Sequence, residues 1–265
     1  MNYPLLSALS LGVGILVGLT GIGGASLITP MLILVFQVPA SVAISSDVVA
    51  ATLMKGVGGV RHWQQETVDF SAVKWLAYGS VPGSLIGVAL LHWLRQNGEL
   101  NLDALLLRLL GGAILLITLT ALIQLLLLVF APQFQLPNLP KLDLTTWRGQ
   151  SGAIGLGAVL GLLVGMTSVS SGSLFALVLI AFFHLDARKL VGTDLVQAAV
   201  LLLFTSIGHL GLGTVDWGLV VPIWIGSIPG VLIGAKLCQI APQRLLRFVL
   251  YLVLVAVSWK LVHSV

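Results

Sequence analysis

Charge is what this chain most conspicuously lacks. Only 8% of its residues are Asp, Glu, Lys or Arg, against roughly a quarter in an ordinary soluble domain. That scarcity excludes a water-exposed globular surface. There is one cysteine, Cys238, so no internal disulfide can form and a disulfide-stapled secreted scaffold is ruled out. His, Cys and carboxylate residues gather into no cluster in any apolar stretch, which disfavours a metal site or metal transport. A basic n-region is also missing ahead of the first apolar run, Met1-Asn2-Tyr3-Pro4, so no cleaved signal peptide is expected. What is abundant is apolar side chain, at 58%, in runs of about twenty residues that fill nearly the whole length. The chain therefore reads as an all-α polytopic membrane protein. Its formal charge of +4 then speaks of cytoplasmic loops held against anionic lipid, not of nucleic acid.

The apolar pattern is duplicated. Residues 14–91 recur without a gap at 161–238, with about 27 of roughly 78 positions identical at one offset of about 147. Gly14–Thr20 matches Gly161–Thr167, Thr67-Val68-Asp69 matches Thr214-Val215-Asp216, and the segment from Gly79 to Gly83 matches that from Gly226 to Gly230. In a chain this apolar, a long internal duplication points to a transporter built from two structural repeats. The units are residues 1–131, a polar linker at 132–148, and residues 149–265.

Each repeat opens on an anomaly. Leu5–Phe36 would be roughly 48 Å long as one helix, too long for a hydrocarbon core of about 30 Å. Its middle, Thr20-Gly21-Ile22-Gly23-Gly24, weakens a helix and permits positive φ. The expected result is two half-helices joined by a turn near the midplane. The second copy places Thr167-Ser168-Val169-Ser170-Ser171-Gly172 there, trading glycines for hydroxyls. Further spans are expected at Ala40–His62, Phe70–Trp93 and about Ala104–Phe130, then at Lys189–Gly208, Trp217–Leu237 and Leu245–Val262.

Charge bias chooses between crossing and turning back. If each broken region is re-entrant, every half has three full spans and the second half is inverted. Lys55, Arg61, Lys74, Lys141, Arg148, Arg188, Lys189, Lys236, Arg244 and Arg247 then share one side, and only Arg95, Arg108 and Lys260 the other. The positive-inside rule favours this lopsided arrangement, with the linker cytoplasmic and both termini periplasmic. In such a pair the helices restarting after each turn aim free N–H groups and positive dipole ends into a central cavity, a ready site for a small anion. The expected contacts are Thr20, Gly21, Gly23, Gly24, Ser26, Thr167, Ser168, Ser170, Ser171 and Ser173, with Gln197 added from a later span.

Leu19-Thr20-Gly21-Ile22-Gly23-Gly24, Gly192-Thr193-Asp194-Leu195, Gly208-His209-Leu210-Gly211 and Gly226-Ser227-Ile228-Pro229-Gly230 together resemble the sulfite exporter TauE/SafE family over nearly the whole chain. The resemblance implies a bacterial inner-membrane permease for sulfur-containing anions such as sulfite, sulfoacetate or thiosulfate, without a cofactor. The chain departs from the family's glycine-rich pattern in its second turn, where Ser168, Ser170 and Ser171 replace glycines.

Asp47 and Asp194 match across the copies and lie inside spans, where ionisable groups default to function, here proton coupling. Their plain alternative is to accept hydrogen bonds from free N–H groups of the neighbouring broken helix. Lys55 either attracts the anion, pairs with a carboxylate, or snorkels to the cytoplasmic face. His62 and His209 also match, as gating or relay groups or as interfacial polar residues. Asp69 and Asp216 read as N-caps, and the glycines spaced by four at 79–87 and 226–234 as close helix packing. Two other classes remain. An anion channel would share the whole site, and an intramembrane serine hydrolase would use Ser171 and His209. The latter lacks the glycine two residues before its serine, where Val169 stands.

Overall fold

The computed structural model describes residues 2–20, 25–96, 101–130, 141–169, 174–183, 185, 187–237 and 243–263. Among these, all regular structure is helical. In chain order come α1 (Tyr3–Thr20), α2 (Ala25–Leu34), α3 (Ala40–Gln64), α4 (Phe70–Gln96) and α5 (Leu102–Phe130). The second half contributes α6 (Trp147–Thr167), α7 (Leu174–Val178, prolonged by a π turn at Leu179–Phe183), α8 (Ala187–Gly211), α9 (Trp217–Leu237) and α10 (Gln243–His263). Six of the helices are long and apolar enough to cross a bilayer. The chain is a multi-pass membrane protein.

The helix starts follow from local chemistry. Asn2 caps α1 through the Leu5 N–H, Asn101 caps α5 through Ala104, and Thr146 caps α6 through Gly149. Asp69 accepts the N–H groups of Ser71 and Ala72, and Asp216 that of Gly218, so both aspartates are N-caps as expected. Ahead of α6, Asp143 folds back on the Thr145 hydroxyl at 2.7 Å and on its N–H, which holds this exposed carboxyl below the usual carboxylate range.

Side-chain register gives every helix a direction. Gly226, Gly230 and Gly234 sit against Ser7, Leu11 and Ile15 in turn, so α1 and α9 run parallel. Gly79, Gly83 and Gly87 likewise follow Ile154, Ala158 and Leu162, making α4 and α6 parallel. Bonds from the Asp216 N–H to Ser46 and from Trp224 Nε1 to the Ala50 carbonyl align α3 with α9, while Asp69–Thr193 and Ser80–Gln197 align α4 with α8. By contrast Ser45 meets His209, Thr52 meets Ser206, and Gly58 faces Leu195, so α3 and α8 are antiparallel. Because α1, α9 and α3 all point one way, the chain between α1 and α3 returns to the end from which α1 set out. The same holds between α6 and α8.

These hairpins are unequal. The entering arms α1 and α6, of 18 and 21 residues, are about 27 and 31 Å long, close to the core thickness and not half of it. The returning α2, of 10 residues, is about 15 Å long, a true half-helix. α6 stops where Ser168 takes a left-handed conformation at φ 58°, its N–H closing on the Val164 carbonyl.

The main packing pairs are α1 with α9, α4 with α6, α3 with α8, and α5 with α10, each joining one half to the other. The glycine stripes permit this. A methyl placed on Gly79 would overlap the Ile154 carbonyl oxygen, and one on Gly161 that of Ser80, so backbone touches backbone in both directions. Trp63, Trp93, Trp147, Trp217 and Trp259 are exposed near helix ends, as aromatic belts require. Trp224 instead lies within α9 and donates from Nε1 to the Ala50 carbonyl.

The loops after α3 and α8 keep the same left-handed residue, Glu66 at φ 56° and Gly213 at φ 65°. A side chain costs roughly 1–2 kcal/mol in that region. Glu66→Gly is therefore expected to raise thermal stability by up to about 1 kcal/mol, less the extra entropy of an unfolded glycine. A fall in melting temperature would show that the Glu66 side chain contributes more than its strain costs.

Candidate functional site

The polar core gathers along the antiparallel pair α3 and α8. Asp47, seven residues into α3, is fully buried. Its Oδ2 accepts the Thr29 hydroxyl of α2 at 2.5 Å and the Ser168 hydroxyl at 2.9 Å. One carboxylate thus ties the returning arm of the first half to the turn of the second. Its Oδ1 has no hydrogen-bond partner among the described residues.

Asp194 stands at the matching point of α8, toward the opposite end of the helix pair. Its Oδ2 lies 3.9 Å from the Lys55 Nζ of α3; Asp194 is buried and Lys55 mostly so. Lys55 thus resolves in favour of a carboxylate partner, in the other half of the chain. The residues just before the two aspartates repeat one task. Ser46 accepts the Asp216 N–H, and Thr193 accepts the Asp69 N–H, so each helix start is held by the opposite half.

His209 is buried rather than interfacial. Its Nε2 is 3.1 Å from the Gly165 carbonyl, which can only accept, so the neutral ring carries its proton there. Nδ1, free to accept, is 2.9 Å from Ser45 Oγ, whose one proton also has the Ser41 carbonyl at 2.8 Å, and Ser45 lies a further 2.7 Å from the Thr214 hydroxyl. Beside this chain a pocket is lined by Ser41, Ser45, Leu91, Arg95 and Thr214. His62 has the shorter version, with Nδ1 2.9 Å from Thr67 Oγ1 in the following loop.

Of the expected anion contacts, Ser26, Thr167 and Ser168 are buried. Thr167 donates to the Leu163 carbonyl of its own helix and does not point outward as a free donor. Gln197 is fully buried and donates from Nε2 to Ser80 Oγ at 2.8 Å, while its Oε1 has no bond among the described residues. Gly21, Gly23, Gly24, Ser170, Ser171 and Ser173 lie outside the described residues, as does the side chain of Thr20. Thr29, Ser45, Ser46, Ser80 and Thr193 were not singled out from sequence. Small hydroxyls in apolar helices carry no spacing signal until the helices are paired. Among the described residues no three His, Cys, Asp or Glu side chains come together as a metal would need.

The main helix pairs each join one half of the chain to the other, and both buried aspartates take a partner from the opposite half. The family model described as "Sulfite exporter TauE/SafE" matches residues 6–261. The chain belongs to the TauE/SafE family. It is 35% identical over 96% of its length, and 97% of the relative's, to the "Probable membrane transporter protein YjnA" of Bacillus subtilis (strain 168). It is 24% identical to "Probable membrane transporter protein YdhB" of the same organism, over 90% of this chain and 91% of that one. No solved structure matches the chain. As a TauE/SafE member it is a membrane transporter and not an enzyme, which removes the hydrolase reading of Ser171 and His209.

Proposed function

We propose that this TauE/SafE protein is a secondary carrier that exports small sulfur-containing oxyanions, such as sulfite, sulfoacetate or thiosulfate, across the bacterial inner membrane by alternating access. The two halves act as inverted repeats, with the linker cytoplasmic and both termini periplasmic. The antiparallel run of α3 against α8, with α1 parallel to α3 and α6 parallel to α8, is the observation that supports this reading. It gives each half a hairpin returning to its side of entry and restarting as a half-length helix after residues 21–24 or 170–173. The N-termini of those restarting helices, with the hydroxyls of Ser26, Ser170, Ser171 and Ser173, serve as donors replacing the anion's water, while the Ser168 hydroxyl is committed to Asp47. The neutral donor set suits a tetrahedral or pyramidal oxyanion.

The test is flux in lipid-reconstituted protein, comparing sulfite, thiosulfate, sulfoacetate and sulfate. Saturable movement of at least one sulfur anion is expected, and Gly24→Leu, which fills the first turn, should lower it by about a hundredfold, the scale on which misplaced groups cost rate. Undiminished flux in that variant would remove the turn from the site. Rapid, unsaturable conductance would replace the carrier with a channel.

A further inference from the structure

We propose that proton coupling runs through a single carboxylate, Asp47, with Thr29 and Ser168 as its positioning residues, while Asp194 is held as a fixed charge by Lys55. The inference rests on the carrier reading above and adds its coupling ion and its asymmetry.

The duplication makes the argument. Asp47 and Asp194 occupy the same position of the two copies, yet their partners are exchanged. The match of Thr29 is Ala176, that of Ser168 is Gly21, and that of Lys55 is Leu202. Among the described residues, Asp47 is met by two hydroxyls and Asp194 by an ammonium.

Those partners differ in what they tolerate. A hydroxyl donates to a carboxylate and, turned about, accepts from a carboxylic acid. Thr29 and Ser168 can thus serve Asp47 in both protonation states without losing their hydrogen bonds. An ammonium offers three donors and no lone pair, so Lys55 favours only the ionised Asp194. Asp47 and Asp194 each keep a buried Oδ1 without a hydrogen bond among the described residues; what separates them is that no cation among those residues lies within ion-pair distance of Asp47. A buried carboxylate satisfied on one side only, by neutral groups, is poised to take up a proton.

The surrounding charges are few. α2 and α7 carry no titratable side chain. From α5, Asp103 accepts the Ser41 N–H six residues before Asp47, and Arg108 lies further along. From α8 come Arg188 and Lys189 at its start, Asp194 in its ion pair, and His209, bonded to Ser45 and Gly165. α9 brings Asp216 at its cap and Lys236 at its far end, and α3 itself adds Lys55, Arg61 and His62. Of these, none whose side chain is described bonds to Asp47.

The consequence is mechanical. Ser168 is the left-handed residue ending α6, and Thr29 sits on α2, so one proton at Asp47 alters a charge-assisted bond to each hairpin at once. The proton enters from one aqueous side and leaves to the other, one per cycle, with no other bond made or broken.

The experiment uses full-length protein in liposomes holding a pH-sensitive dye, with radiolabelled thiosulfate and sulfite as probes. It reads protons moved per anion moved. Asp47→Asn is expected to lower that ratio at least tenfold and to flatten the pH dependence of anion flux. The paired change Lys55→Leu with Asp194→Asn is expected to keep the wild-type ratio, whatever its rate. Thr29→Val removes a donor that stabilises the charged form, and should move the pH midpoint of flux upward by about one unit. Infrared difference spectra on acidification supply a readout independent of transport. A protonated-carboxyl band should be present in the wild type and in the paired variant, and absent in Asp47→Asn. A band that survives Asp47→Asn, or an unchanged proton ratio in that variant, overturns the inference. So does wild-type anion flux without protons. Failure of the wild type to move any sulfur anion would instead sink the proposed function.

Discussion

Gly161→Ala is expected to destabilise the folded transporter by about 3 kcal/mol or more, whereas Gly155→Ala, on the same helix, is expected to leave it unharmed. A Cβ at position 161 would overlap the Ser80 carbonyl oxygen and come within 2.6 Å of the Ser80 Cα. These are backbone atoms of α4, with no flexible end to swing aside. Overpacking a tight interface costs about 1–3 kcal/mol when side chains can adjust. Here α4 and α6 must separate along a stripe where Gly79, Gly83 and Gly87 answer Gly157, Gly161 and Gly165. Position 155 faces open space, so alanine there adds only helix propensity, up to about 1 kcal/mol in its favour. Thermal unfolding in detergent, followed by size-exclusion profile, separates the two. Equal melting temperatures for both variants would mean that α4 and α6 do not touch as described.

Lys55→Met is expected to cost about 3–5 kcal/mol, and adding Asp194→Asn to restore most of it. A buried ion pair is a weak source of net stability, because desolvation offsets attraction. Its loss is asymmetric, however. Removing the ammonium 3.9 Å from Asp194 leaves a buried negative charge without its counter-ion, while removing both charges leaves a neutral contact between α3 and α8. The double-mutant cycle on melting temperature measures that difference. Additive losses would show that the two groups do not sense each other.

Much of the frame was readable before any helix was paired. The duplication, the broken first region of each half, the capping aspartates and the glycine stripes each have a local cause: a fixed spacing, a helix-weakening run, a short oxygen side chain at a helix start. The chemistry at the carboxylates was not readable in this way. Lys55 lies eight residues after Asp47 on the same helix, but its carboxylate partner is 139 positions distant on an antiparallel helix. Thr29 and Ser168 converge on Asp47 only after two hairpins fold back from different halves. α1 and α6 are also longer than the half-helices that the sequence predicts, because glycine reveals where a helix breaks but not how deep in the membrane that break lies.

The interleaving of the halves also sets an order of events in biosynthesis. α1 leaves the ribosome near the beginning, but the surface that receives it belongs to α9, which starts at Trp217. At about 5–20 residues per second, nearly two hundred residues separate the two by roughly 10–40 seconds. Throughout that interval the glycine-lined face of α1 has no mate, and α4 waits in the same way for α6. The nascent first half must therefore dwell in the bilayer as loosely associated helices, shielded by lipid or by the insertion machinery. Closure is then staged: α4 can meet α6 soon after the linker, and α9 and α10 come last to receive α1 and α5, as a clasp closes a necklace.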